Sequence, residues 1–170
     1  MEFLSTIKER IPDYAKDIRL NLDGAITRSS LTHEDALGVA LAAAFAAKSK
    51  PLVDAFKAAA PAAEGDAALT AAALMGMNNV WYPYVEMAGD EDLKTQRAEL
   101  RMNAYATSGG VDKKKFEAYA LAASIVGKCH YCVGSHYALL KKEGMTTQQL
   151  RDIGRIAAVV NAAAQVIAAG

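Results

Sequence analysis

Residues 117–136 read Glu-Ala-Tyr-Ala-Leu-Ala-Ala-Ser-Ile-Val-Gly-Lys-Cys-His-Tyr-Cys-Val-Gly-Ser-His and hold both cysteines of the chain and two of its three histidines. Cys129, Cys132 and His136 fall at steps of three and four, a spacing that stacks side chains on one face of a helix. A thiolate is the reactive form of cysteine, and a helix N-terminus or a nearby imidazole lowers the thiol pKa from its usual value of about 8.5. Two cysteines at i and i+3 can bridge with little backbone movement, so the pair can cycle between dithiol and disulfide. A thiol pair beside a base and a carboxylate is the equipment of redox thiol chemistry.

The carboxylate is placed by counting. If one helix stops at Gly127 and the next returns antiparallel, Glu117 lies about 15 Å before the turn and His136 about 13 Å after it, at 1.5 Å per residue. The two side chains then sit level across a helix–helix contact. In that arrangement His136 takes a proton, directly or through a water. Glu117 holds the other ring N–H, fixing the tautomer and raising the basicity of the imidazole.

Each residue alone has a plainer reading. A solitary His136 is a structural histidine, and a solitary Glu117 a solvated acid. His130 and Tyr131 read as helix-start residues with local packing roles, and His33 as an exposed residue after a cap. Metal is the main rival for the group: Cys129, Cys132 and His136 give three ligands, with His130 or Glu117 as a fourth. Structural zinc sites add a second, distant ligand pair, and no such pair stands elsewhere in the sequence. A non-redox scaffold or decarboxylase-like protein is the other alternative. Other features read as packing or solvated surface: Met75-Gly-Met-Asn-Asn79 with Val80-Trp-Tyr82 as core or subunit surface, Gly76 as a point of close helix approach, and Lys113–Lys115 as a solvated helix end.

The elements that must position these residues are helical. Of 170 residues 36 are alanine, the best helix former, while 12 are glycine and 4 proline. Apolar residues make up 52% of the chain and formal net charge is zero, which excludes disorder and gives no basic face for nucleic acid. The run Leu37–Ala47 is too short to cross a bilayer, so no membrane association is expected. The N-terminus lacks the pattern of a secretory leader. A cytoplasmic protein is therefore expected, a setting in which Cys-x-x-Cys points to catalysis, redox sensing or metal.

The order of helices reads as follows. A short helix spans residues 2–9; Pro12 breaks it and a second runs from about Asp13 to Thr27. Thr32 caps a third, to about Ala47, and Pro51 opens a fourth, to about Ala60. Asp66 caps a long helix to about Met87, with Pro83 as a kink. Lys94–Ala106 forms another, then Ser108-Gly-Gly110 turns the chain. Asp112 caps the helix that ends at Gly127, the cysteine helix ends at Gly144, and Thr146-Thr-Gln-Gln149 is a capping box for the last. No segment alternates as a strand does. The expectation is one compact all-α domain over 1–170.

A duplication is also expected, with halves at about 30–90 and 110–170. A shift of 80 residues lays Thr32 on Asp112, and Ala40, Leu41, Ala42, Ala43, Lys48, Val53 and Ala58 on identical residues. Ser49, Leu52, Phe56 and Leu37 then stand where Cys129, Cys132, His136 and Glu117 stand, so the first half carries no chemistry.

Glu117, Cys129-His-Tyr-Cys132 and His136 together resemble the active-site signature of the alkyl hydroperoxidase D family, within the carboxymuconolactone decarboxylase-like superfamily. Tyr14–Leu22, Ile26–Ser30, Met75–Val80 and Leu100–Asn103 also look like that family, so the resemblance covers most of the chain. It implies an all-helical fold with an internal repeat, assembled as a homotrimer. It implies an antioxidant enzyme with weak peroxidase activity toward alkyl hydroperoxides. Electrons would pass from a dihydrolipoyl group on a 2-oxoacid dehydrogenase subunit to the disulfide of a partner peroxiredoxin, with no bound cofactor and no metal. Carried over, Cys132 becomes the sulfenic acid or forms mixed disulfides, Cys129 is proton donor and resolving partner, and His136 and Glu117 are the proton relay. Some members have a histidine directly before the second cysteine. Here Tyr131 occupies that place and is the remaining candidate.

Overall fold

The computed structural model describes all residues 1–170 and contains ten α-helices and no strand. They are α1 (Ser5–Glu9), α2 (Lys16–Thr27), α3 (His33–Ala46), α4 (Lys50–Ala59), α5 (Ala62–Ala88), α6 (Glu91–Thr95), α7 (Asn103–Ala106), α8 (Lys113–Gly127), α9 (His130–Lys142) and α10 (Thr147–Ala169). The all-α class expected from composition is what the chain adopts.

The centre is built from α3, α5 and α8, which pack on one another, with α10 laid against α2, α3 and α8. Alanine explains why two of these helices can be buried on every side. Residues 36–44 of α3 and 116–124 of α8 are buried without interruption. A helix apolar all round belongs in a core, and small side chains let the axes approach. Gly38 of α3 lies hard against α8: a Cβ there would lie 2.5 Å from Tyr119 Cζ. Gly127 similarly makes room for Asn79 of α5, whose Nδ2 donates to the Ala123 carbonyl. Gly76, expected to allow close approach, has open space around it.

Helix ends follow their caps. Thr32 and Asp112 accept from the Asp35 and Lys114 amides, and Thr146 and Gln149 form the reciprocal capping box. Two expectations need correction. The long helix starts four residues before Asp66, behind Pro61, and Asp66 lies inside it. Pro at the edge of a helix costs nothing there, because the first-turn amides lack partners anyway. The predicted helix Lys94–Ala106 is instead α6, an irregular stretch and the single turn α7. Residues 94–101 are almost wholly exposed and so have no face to bury, and good propensity alone does not hold so short a helix.

Lys115, read as a solvated helix end, reaches Glu64 at 3.2 Å, Asp35 at 3.5 Å and Glu34 at 3.8 Å, tying α8 to α5 and α3. A second polar tie joins α10 to the loop before α3. Asp152 is fully buried and accepts from the Ser30 amide (2.8 Å) and hydroxyl (2.7 Å), and from Arg151 and Arg155.

Helix α10 is long and apolar enough, by composition, to cross a membrane. One face of it, with Leu150, Ile153, Ile156, Val160, Ala163 and Ile167, is instead buried against the other helices.

The turn between α3 and α4 repeats that between α8 and α9. Lys48 and Lys128 both take left-handed φ, 59° and 55°. The amides of Ser49 and Cys129 bond back to the carbonyls of Ala44 and Ser124. Leu37, Ser49, Leu52 and Phe56 are all buried, a counterpart of the cluster without its thiols, acid or base. The recurrence is local to the helical hairpin; a two-fold relation between whole halves stays an expectation.

Candidate active site

The site is assembled on the α8–α9 hairpin and closed by α5 and α7. Lys128 turns the chain in two residues, so α9 returns beside α8 and the counted register puts Glu117 opposite His136. His136 Nδ1 donates to Glu117 Oε2 at 2.6 Å. Glu117 is 1% exposed and His136 6% exposed. An ionised carboxylate so deeply placed needs donors on both oxygens, and it has them. The second is the phenol of Tyr105, from α7, which donates to Oε1. Burial pushes the Glu117 carboxyl upward, but the hydrogen bonds from His136 and Tyr105 outweigh it and hold the pKa below the usual carboxylate value. Tyr105 is itself pushed up, first by burial and then by its bond to the carboxylate, so it stays a proton donor.

With Nδ1 committed to Glu117, Nε2 is the working nitrogen. It faces Met75 Sδ of α5 at 3.2 Å. A thioether is a weak acceptor, so Nε2 has no strong protein partner.

Cys129 and Cys132 are joined as a disulfide. Cys129 is the N-cap of α9, and its Sγ accepts from the Cys132 amide at 3.3 Å. As a thiolate this sulfur sits at the positive end of a 13-residue helix with a donor aimed at it, the environment that lowers a thiol pKa. The Asn78 carbonyl oxygen lies 3.8 Å from Cys129 Sγ and 3.7 Å from Cys132 Sγ. Both cysteines are buried, and of the two it is Cys132 that lines the cavity beside His136. That cavity, about 330 Å³, is walled by Asn78, Tyr82, Met102, Tyr105, Tyr131, Cys132 and His136 among others. The accessible sulfur and the imidazole thus open on one space, with the carboxylate behind the imidazole.

Tyr131 is 59% exposed and stacks on Tyr82, ring centroids 4.2 Å apart. It forms cavity wall and makes no hydrogen bond to Glu117 or His136. His130 is exposed and meets Glu86 at 3.1 Å, and His33 is exposed and lies beside Met1, Glu2 and Phe3.

Along nearly its whole length the sequence is similar to curated proteins of one kind. It is 44% identical to the alkyl hydroperoxide reductase AhpD of Rhodospirillum centenum, covering 96% of this chain and 90% of that one. It is 42% identical to the protein of the same name from Maricaulis maris, covering 98% of each. With that of Coxiella burnetii it shares 38% over 96% of each. This chain belongs to the AhpD family. The sequence model of the carboxymuconolactone decarboxylase family matches residues 91–169, the part that holds α8, α9 and every cysteine and histidine of the site.

Three site residues of this AhpD-family chain were not singled out from sequence. Met75 and Asn78 lie in the stretch read as packing, and only their position on α5 beside α9 gives them to the site. Tyr105 carries no periodic signal at all; a tyrosine just ahead of the Gly109-Gly110 turn is the one cue, and a weak one.

Proposed function

We propose that the chain is a cytoplasmic antioxidant thiol peroxidase and disulfide reductase that acts on alkyl hydroperoxides through Cys132. The observation that carries this reading is the Cys129–Cys132 pair opening, at Cys132 alone, onto the cavity it shares with the Glu117-bound imidazole.

In the reduced protein His136 Nε2 accepts the Cys132 proton and the thiolate attacks the outer oxygen of the hydroperoxide. The O–O bond breaks, Cys132 becomes a sulfenic acid, and the departing alkoxide leaves as alcohol with a proton from the relay or from the Cys129 thiol. The Cys129 thiolate then attacks the sulfenic sulfur, closing the disulfide and releasing water. A dihydrolipoyl dithiol reopens it. One of its thiolates attacks Cys132 Sγ, Cys129 departs as the thiolate its N-cap position favours, and the second lipoyl thiol resolves the mixed disulfide. Attack of the Cys132 thiolate on the disulfide of a peroxiredoxin of the alkyl hydroperoxide reductase C type would use the same site and the same resolving cysteine.

The electron donor in this reading is a lipoylated subunit of a 2-oxoacid dehydrogenase, and the assembly a homotrimer. Val80, Tyr84 and Met87 are exposed along one strip of α5 and offer such an assembly an apolar face. The name the relatives share supports hydroperoxide reduction; donor, peroxiredoxin and trimer rest on the family resemblance. The test is Cys132→Ser in a lipoyl-linked assay of cumene hydroperoxide consumption. Turnover should vanish while the folded protein persists; turnover that survives refutes the assignment.

A further inference from the structure

We propose that Tyr105 is a positioning residue of the redox site, holding the Glu117–His136 pair in its proton-accepting state. This deepens the proposed peroxidase reading, but concerns the relay itself and can be tested without turnover.

The argument begins with a buried charge. Glu117 is one of only five buried polar or charged side chains, and it lies in a helix otherwise buried among alanines. With His136 neutral, the pair carries a full negative charge and only one hydrogen bond from the imidazole. The Tyr105 hydroxyl is the sole other group that donates to this carboxylate. It is a neutral donor, so it stabilises the carboxylate without neutralising it. A lysine in its place would pull the negative charge away from the imidazole.

The effect on proton affinity has a definite sign. Tyr105 stabilises the unprotonated pair most, because there the carboxylate keeps its full charge, offset only through space by Lys113 at the start of α8. Once the pair takes up a proton, whether the proton rests on the imidazole or on the carboxyl, the bond from Tyr105 weakens. Its removal therefore raises the macroscopic proton affinity of the pair wherever the proton is assigned. The relay becomes harder to empty, and less of it can accept the Cys132 proton at a given pH.

The placement of Tyr105 fits this task. It comes from the single turn α7, beyond the irregular stretch 96–102, and α7 packs on α5 and the 108–110 turn. Its ring meets Phe116 edge-on at 5.6 Å and lies 6.4 Å from the His136 ring. The hydroxyl thus reaches the carboxylate oxygen that the imidazole leaves free, and the ring forms cavity wall.

The test is Tyr105→Phe, which keeps the ring and its packing. The reduced protein, with only three histidines to assign, is titrated by NMR of the His136 ring nitrogens. The transition of the pair should move upward by about one pH unit, the weight of one hydrogen bond to a charged group. The same substitution in a Glu117→Gln background should move it by less than a third of that, because the group through which Tyr105 acts is gone. In lipoyl-linked turnover, the acid limb of kcat/KM should move upward in step. An unshifted transition in Tyr105→Phe, or an equal shift in the Glu117→Gln background, overturns the proposal. Absent turnover with the NMR shift intact would count against the peroxidase reading and leave the role of Tyr105 standing.

Discussion

Glu117→Gln isolates the charge of the relay from its shape. Gln is nearly isosteric, and the site can rearrange its donors around it. Tyr105 can rotate its hydroxyl to accept from the new amide NH₂, while the amide oxygen still accepts from His136 Nδ1. The hydrogen-bonded triad and the tautomer persist; what is lost is the negative charge 2.6 Å from the imidazole, in a place where both partners are almost fully buried. A hydrogen bond to a charged group contributes about 1.5–3 kcal/mol, against about 1 for a neutral one. The imidazolium formed when His136 takes the Cys132 proton is therefore less stable by roughly 1–2 kcal/mol. The rate should fall about 5- to 30-fold. Removing a buried charge relieves its desolvation, so stability should change little. The assay is stopped-flow reaction of the reduced protein with cumene hydroperoxide, with a thermal melt in parallel. A folded Glu117→Gln protein reacting within twofold of wild type would refute the view that Glu117 strengthens the base. A loss as complete as that of Cys132→Ser would show that more than its charge is at stake.

Other residues give predictions on stability. The Asp152 carboxyl is held well below the usual range: burial opposes this, but the donors from Ser30, Arg151 and Arg155 prevail. A depressed folded pKa contributes stability that is present above the unfolded value of about 3.9 and fades as pH falls through the folded one. Asp152→Asn should therefore melt below wild type at pH 7, by about 4–8 °C for a loss of about 2 kcal/mol, with the gap narrowing below about pH 4; a gap constant from pH 7 to 3 would contradict this. Two glycines should respond with opposite signs. Gly38→Ala forces a Cβ against the buried Tyr119 ring and should cost about 1–3 kcal/mol in a denaturant titration. Gly76→Ala meets nothing within 4 Å and should gain about 0.5–1 kcal/mol from helix propensity; the same sign for both would refute the packing argument.

What the sequence made legible is what one hairpin contains. Cys129, Cys132, His136 and Glu117 lie within 20 residues, and helical rise alone places acid and base level once Gly127 is taken as the turn. Local rules also found the caps at Thr32, Asp112 and Thr146, because a cap depends on a few neighbouring residues. Tyr105, Met75 and Asn78 were not legible, because their contribution depends on how α5 and α7 pack against α9. Residues 94–106 show the limit most clearly. Their propensity favours a helix, but the stretch has no apolar stripe to bury, and propensity without packing did not decide it. The lysine at position 115 taught a related lesson: a charge run reads as solvated until the acids of α3 and α5 are brought beside it.

The central claim is that Cys132 is oxidised by peroxide and resolved by Cys129. Its most direct test is peptide mass spectrometry of the fully reduced protein after one equivalent of an alkyl hydroperoxide. The account predicts loss of two hydrogens mapped to a Cys129–Cys132 bridge, and in Cys129→Ser a sulfenic acid trapped at Cys132. A reduced pair left intact by the peroxide, or oxidation that begins at Cys129 with Cys132 still a thiol, would contradict it.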